Sequence, residues 1–226
     1  MKSLRQFIQE KLVIKNKRNN YKYSPETKEE LKDIIKQRIK QEGKEADLND
    51  IDTSKIIDMS NLFEDLEFTG DISNWDVSNV KDMSCMFASS ELFNSDISDW
   101  DVSRVENMSW MFRDCIFFNS DISSWDVSNV ENMCGMFAEC ESFNQDISSW
   151  DVSNVTDMRA MFYGCENFNS DISRWNVSKV KNMDRMFSWC KKFKQDISNW
   201  DVSNIEDKDD IFNKCPIDEK YKPKFK

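Results

Sequence analysis

The sequence predicts an α/β protein: a right-handed solenoid of seven strand–helix rungs with a parallel sheet on one face and an N-terminal capping helix. Three observations support this prediction. Most of the 226-residue chain repeats with a period of 25 residues. Each repeat contains one alternating and one helix-like apolar pattern, and an amphipathic segment directly precedes the first repeat. A fixed period of this length is typical of stacked architectures, in which each unit buries its apolar face against its neighbours.

The repeat is defined by the segment DISNWDVSNVKDMSCMFASSELFNS, which starts at Asp71 and recurs without insertion. A weaker copy begins at Asp47, 24 residues earlier, and brings the number of repeats to seven. The most regular feature is a tryptophan in each strong copy, which we expect to form a structural ladder. Its members are Trp75, Trp100, Trp125, Trp150, Trp175 and Trp200.

Each repeat is predicted to form a strand, then a helix, then a loop. Polar and apolar residues alternate from Trp75 to Ser78, as they do in a short strand. Apolar residues then recur at spacings of three and four from Val80 to Phe87, which is the pattern of a helix face. Ser78 is the expected N-cap of this helix, and Asn94 suits the closing turn.

The strand core Ile72-x-x-Trp75-x-Val77 resembles the LxxLxL core of leucine-rich repeats. The whole unit, DISxWDVSxVxxMxxMFxxCxxFNx, closely resembles the BspA-like repeat of bacterial surface proteins over about residues 47–215. The resemblance implies a solenoid used for adhesion or protein–protein contact, with no catalytic residues to carry over. The sequence departs from the surface members in one respect, because it has no recognisable signal peptide or lipoprotein leader.

Four segments are expected along the chain. Residues 1–23 form a basic leader or docking segment, 24–46 an amphipathic N-capping helix, 47–215 the repeat solenoid and 216–226 a loose basic tail. The stretch MKSLRQFIQEKL is similar to the short leaders that direct internal proteins into tailed-phage capsids. The alternatives are a short helix that docks on the solenoid and a membrane-surface helix.

The capping helix is the better defined of the two N-terminal segments. Ser24 is its expected N-cap and Gly43 its expected stop. Leu31 and Ile35 belong to an apolar face that we expect to cover the first rung, as the ends of a repeat stack require.

Composition excludes several classes of function. The chain has no histidine, which removes Ser-His-Asp and Cys-His catalysis and every zinc site that needs imidazole. Its net charge is −11, with the first 46 residues basic and the rest acidic, so nucleic acid is an unfavourable partner for the solenoid. No apolar run is long enough to span a bilayer. We therefore predict a protein that is not an enzyme and that has no cofactor or metal.

The cysteines are predicted to be buried free thiols. Five of the seven share a position on the apolar stripe, no CxxC motif occurs, and an odd count makes a poor disulfide framework. A metal or redox ladder is the alternative. These five are Cys115, Cys140, Cys165, Cys190 and Cys215.

The convex face is the first of two candidate surfaces for partner binding. Three helix positions vary between repeats and should point to solvent, where exposed aromatic residues often anchor interfaces. Relaxed drift on a solvated face is the alternative explanation of this variation. The convex-face candidates are Trp110, Tyr163, Trp189, Arg113 and Arg185.

The strand face is the second candidate surface, and it suits a repetitive partner because it hardly varies. A row of aspartates lies there among serines. The aspartates could accept hydrogen bonds from backbone N–H groups in turns, or they could bind calcium. The strand-face candidates are Asp76, Asp101, Asp126, Asp151 and Asp201.

The leading hypothesis is a non-enzymatic solenoid that binds another protein or a repetitive surface. One alternative is a packaged or virion-associated protein whose leader matters more than its solenoid. Another is a calcium-dependent surface adhesin. Because no export signal is recognisable, the expected location is the cytoplasm or a virion, with the cell surface by an unrecognised export route as the alternative.

Overall fold

The computed structural model describes residues 21–225 and contradicts the predicted strand–helix rungs. Its regular elements in this range are one α-helix, α1 (Lys28–Glu42), and one short 3-10 helix (Glu219–Tyr221). No strand forms in this part of the chain, and parallel pairing is limited to isolated bridges, such as that between Asn107 and Asn132. The predicted α/β solenoid with a parallel sheet is therefore wrong. The repeats nevertheless stack on one another, with turns in place of strands and helices.

The segment predicted as the helix of each repeat is a series of tight turns. In residues 85–90, alternate backbone N–H groups bond within their own repeat, to the carbonyl three residues earlier. The other N–H groups cross to the next repeat: that of Phe87 donates to the carbonyl of Met111 at 2.9 Å. Cys85 and Ser89 have positive φ, as the third residue of a type II turn does. We call residues 83–90 and their equivalents the turn ladder, and its two positive-φ residues the first and second left-handed positions.

A row of tight turns gives the same apolar spacing as a helix face, which explains the wrong prediction. Val80, Met83 and Phe87 are fully buried, as a helix face would be. The expected N-cap, Ser78, closes a turn instead, because its hydroxyl donates to the Asp76 carboxylate at 2.6 Å. The pattern therefore predicted which side chains are buried and assigned them the wrong backbone.

Columns of identical side chains fill the core. Each ladder tryptophan is buried, and its indole N–H donates to a backbone carbonyl of the preceding repeat, as Trp125 does to Ile97 at 3.1 Å. A second column is made of phenylalanines: the rings of Phe112 and Phe137 lie 5.7 Å apart with an interplanar angle of 6°. Because a buried indole N–H needs an acceptor, the tryptophan bond also fixes the register between neighbouring repeats.

Helix α1 closes the first end of the stack. It follows Thr27, whose hydroxyl oxygen accepts the N–H of Glu30, and not Ser24 as expected. Leu31 and Ile35 are fully buried and belong to the same apolar core as the repeats. The helix therefore shields the apolar interior of the first repeat from water.

A buried arginine fixes α1 to the first repeat. Arg38 is only 6% exposed, forms an ion pair with Glu42 within the helix, and donates to the Asp50 carboxylate at 2.7 Å and the Asp47 carbonyl at 2.8 Å. Burial acts to raise the pKa of Asp50, but the bonds from Arg38 and Lys22 outweigh it and hold that pKa below its ordinary value. The cap is thus held by charge as well as by apolar contact.

The C-terminal residues pack on the last repeat and do not form the expected loose tail. The Tyr221 carbonyl accepts the N–H of Ile197 at 3.0 Å, and Ile217 is buried. The Lys222 ammonium lies 5.3 Å from the centre of the Phe212 ring. Residues 208–210 stay exposed, so this end is covered less completely than the end under α1.

Expectations about the start of the chain fall mostly outside the described residues. The leader or docking segment was placed at 1–23, and residues 1–20 of it are not described. Tyr23 pairs with Ile51 of the first repeat. Within residues 21–225, α1 is neither long nor apolar enough to cross a membrane, and no other helix there qualifies.

Candidate partner-binding surfaces

The aspartate row lies on turns, since no strand forms at these residues. Asp101 accepts two hydrogen bonds from Ser103, one from the backbone N–H at 3.1 Å and one from the hydroxyl at 2.6 Å. The backbone bond recurs in the other repeats, and Asn176 makes it in place of an aspartate. The equivalent bonds are made by Asp76, Asp126, Asp151 and Asp201.

These hydrogen bonds give the aspartates a role in the turns. Bonds from the Ser153 hydroxyl and N–H lower the pKa of Asp151. The carboxylates are each oriented by their own turn and are not gathered into one cluster. Across residues 21–225 no group of three or more aspartate, glutamate or cysteine side chains is placed to hold a metal ion.

The convex-face candidates lie in the turn ladder instead of on helices. Trp110 and Arg185 occupy the first left-handed position of their repeats, with φ of 58° and 55°. Trp189 occupies the second, and Arg113 and Tyr163 directly precede it in theirs. The structure therefore brings the five candidates to one side of the stack, although for a different reason from the one predicted.

Trp110 is held by the two repeats that follow its own. Gly135 has the next first left-handed position, and a Cβ built on it would lie 2.0 Å from the indole carbon Cε3 of Trp110. Arg159 belongs to the repeat after that of Gly135, and its guanidinium lies 5.9 Å from the centre of the Trp110 indole. The Nε atom of Arg159 is 3.3 Å from the Cys134 sulfur. Trp110 is consequently half-buried and fixed in place, whereas it was expected to face solvent.

The remaining convex candidates differ in exposure. Trp189 is 42% exposed and is among the few large apolar side chains that face water in the described chain. Arg185 is exposed, Tyr163 is half-buried, and the half-buried Arg113 lies 3.1 Å from the Asp114 carboxylate. Trp189 is therefore the most accessible aromatic anchor of this set.

The shared-position cysteines behave as buried structural groups. All are free thiols, and all except Cys215 are fully buried. The Cys140 thiol donates to the Phe112 carbonyl of the preceding repeat at 2.9 Å. Burial raises the pKa of Cys140 well above its ordinary value, so the thiolate needed for metal or redox chemistry is disfavoured.

A basic depression was missed by the sequence reasoning. An open hollow of about 470 Å³ is lined by three lysines of the sixth repeat and three asparagines of the fourth and fifth repeats. The sequence does show this change of charge: residues 191–194 read KKFK, whereas the two preceding repeats have ENFN and ESFN at the same positions. The lining residues are Asn144, Asn167, Asn169, Lys191, Lys192 and Lys194.

Comparison with known proteins gives one family. The model of the family described as "Mycoplasma protein of unknown function, DUF285" matches the chain twice, over residues 30–141 and 117–222. The two overlapping matches agree with the internal repetition and cover most of the chain. No curated protein and no solved structure matches the chain.

Proposed function

Because the chain belongs to the DUF285 family of Mycoplasma proteins, we propose that it is a BspA-like repeat protein that binds a protein partner and catalyses no reaction. The contact surface consists of the two left-handed positions of the turn ladder and the residues that precede the second of them. The protein acts in protein–protein interaction or adhesion, as the 25-residue motif implies.

The observation that carries this proposal is a constant backbone with changing side chains. At the first left-handed position φ lies between 54° and 60° in Cys85, Trp110, Gly135 and Arg185 alike. Left-handed backbone costs a residue with a Cβ about 1–2 kcal/mol. Strain of this kind is retained where the surrounding structure fixes it, and it concentrates at functional sites.

The geometry around Trp110 supports a role in binding. The indole is already ordered by Gly135 and Arg159, so little side-chain entropy remains to be lost when a partner docks. Tryptophan and arginine are also the residues most enriched among interface positions that dominate affinity. Trp189 adds a second, more exposed indole on the same side of the stack.

Site-specific photo-crosslinking in cells tests this proposal. A benzophenone amino acid is placed at Trp189 in one full-length variant and at Ile57 in a matched control. Ile57 is 62% exposed but lies in the first repeat, away from the proposed surface. We expect a discrete partner to crosslink through position 189 and not through position 57.

The identified partner then permits a quantitative test. The double substitution Trp110→Ala and Trp189→Ala should weaken its binding by about 30-fold, which corresponds to about 2 kcal/mol for hot-spot tryptophans. Ile57→Ala should leave the affinity unchanged. Equal crosslinking at both positions, or unchanged affinity in the double variant, would contradict the proposed surface.

A further inference from the structure

The basic depression is an unusual feature of an acidic chain. Lys191, Lys192 and Lys194 lie within four residues of one another and are all exposed, although the net charge of the chain is −11. Glu166, beside the depression, is ion-paired with Lys191. Two cationic groups, those of Lys192 and Lys194, therefore remain to meet a ligand that carries negative charge.

The asparagines of the depression are arranged as hydrogen-bond donors. The side-chain oxygen of Asn144 accepts the N–H of Asn169 at 2.8 Å, and the side-chain oxygen of Asn169 accepts the N–H of Lys194 at 2.9 Å. Asn167 uses its oxygen to accept from the Lys192 ammonium at 2.6 Å. With their oxygens occupied, Asn144 and Asn169 present their NH₂ groups. The lining thus offers ammonium and amide donors, which suit carboxylate oxygens.

An apolar side chain lies in the same row, three repeats earlier. Phe117 is 55% exposed and stands at the repeat position of Lys192, with Ser142 and Asn167 between them. Leu92 and Ile116, both half-buried, extend the apolar end. We call Leu92, Phe117, Ser142, Asn167 and Lys192 the lateral row.

The lateral row is straight enough to be matched to an extended chain. Three of its members donate a backbone N–H to the carbonyl beside the row in the preceding repeat, as Ser142 does to Ile116 and Asn167 to Glu141. The Lys192 ammonium donates to the Asn167 side chain of the row. At about 5 Å for each bonded repeat, Phe117 and Lys192 are roughly 15 Å apart, which four or five residues of an extended peptide span at about 3.3 Å each.

We propose that the lateral row binds an extended acidic segment of a partner protein. An apolar side chain of that segment packs on Phe117, and carboxylates four to six residues away meet Lys192, Lys194 and the asparagine amides. This inference rests on the proposed function and adds the chemistry of the partner, in a row next to the left-handed positions.

Fluorescence polarisation with synthetic peptides tests the inference on the full-length protein. The probe is labelled acetyl-Leu-Ser-Ser-Ser-Asp-Glu-Asp-amide at low salt. A peptide of the same composition with the leucine between the acids controls the spacing. We expect Lys192→Glu with Lys194→Glu to weaken binding of the probe by about ten-fold or more, and Phe117→Ser by about five-fold. The matched control, Lys179→Glu with Lys181→Glu, changes the same charge in the same repeat and should have no comparable effect.

The outcomes separate this inference from the proposed function. Equal binding of the two peptides, or equal loss in the control variant, would overturn the lateral row as a docking site. Displacement of the probe by millimolar inorganic phosphate together with no effect of Phe117→Ser would identify a general anion site and also overturn it. None of these results would remove a partner crosslinked through position 189, and loss of that crosslink would leave specific peptide binding intact.

Discussion

The tryptophan column and the first left-handed position each occur once in every strong repeat, yet they follow opposite rules. The column keeps one residue type and one hydrogen bond from Trp75 to Trp200. The left-handed position keeps one backbone geometry while its residue changes from Trp110 to Gly135 to Ala160. The buried columns therefore determine the backbone of the repeat, including the strained turns. The side chains on those turns are then free to vary, as the proposed binding surface requires.

The largest effect is expected when one member of the tryptophan column is removed. Trp125→Ala should lower the free energy of unfolding by about 3–5 kcal/mol, because it leaves a large cavity and removes the indole hydrogen bond to the Ile97 carbonyl. Trp189→Ala, in the turn ladder, should change stability by no more than about 0.5 kcal/mol. Urea denaturation followed by circular dichroism measures both changes in the free energy of unfolding. Equal changes would contradict a structural role for the tryptophan column that the turn ladder does not share.

The cap offers a second test, with an effect of intermediate size. Arg38→Met removes the charge that holds Asp50 and should destabilise the protein by about 2–3 kcal/mol at pH 7. The pKa of Asp50 is lowered in the folded state, so its contribution is fully present above the unfolded pKa near 3.8. That contribution disappears as the pH falls through the lower folded value. The difference in unfolding free energy between wild type and Arg38→Met should therefore shrink below about pH 4. A difference independent of pH would contradict the stabilisation of α1 by the Arg38–Asp50 ion pair.

A third substitution tests the link between neighbouring left-handed positions. Gly135→Ala places a methyl group where the Trp110 ring lies, and it should cost about 1–2 kcal/mol and move the ring. In a Trp110→Ala background the same substitution should cost less, since Ala160 already adopts this geometry in the next repeat. A double-mutant cycle measured by denaturation gives the interaction free energy between residues 110 and 135. Additive effects would show that these two residues do not interact.

The smallest effect is expected within the cysteine column, where the chain contains its own control. Ser90 occupies the equivalent position and donates to the Phe63 carbonyl at 2.6 Å. Cys140→Ser keeps a donor of similar size and should cost less than about 1 kcal/mol, whereas Cys140→Ala loses the hydrogen bond and should cost more. The order of the two unfolding midpoints tests this prediction, and the reverse order would contradict it.

The sequence predicted the inside of the repeats well and their backbone poorly. The burial of Trp125, Met133 and Cys140 follows directly from their recurrence at 25 residues. The backbone was missed because spacings of three and four arise from stacked turns as well as from a helix. The usual signal for left-handed turns is glycine, and the chain has it at Gly135 and Gly164 but Trp110 and Trp189 at the equivalent places of other repeats.

The residues of the candidate surfaces were predicted only in part, again because the turn geometry cannot be read from the sequence. Variation between repeats identified Trp110 and Trp189, but it could not show that Trp110 rests on Gly135, because that contact depends on the turn geometry. The lateral row was not predicted because its side chains change gradually along the stack, from the apolar Phe117 to the basic Lys192. Only the stacking of repeats shows that residues so far apart in the chain share one surface.

Hydrogen-bond scalar couplings between amide nitrogens and carbonyl carbons test the turn ladder most directly. In a deuterated sample, the Phe112 nitrogen should couple to the carbonyl carbon of Met136, whose oxygen it contacts at 2.9 Å. A helix would instead couple Phe112 to Met108, four residues earlier. Coupling to Met136 would establish the stacked turns, and coupling to Met108 would contradict them.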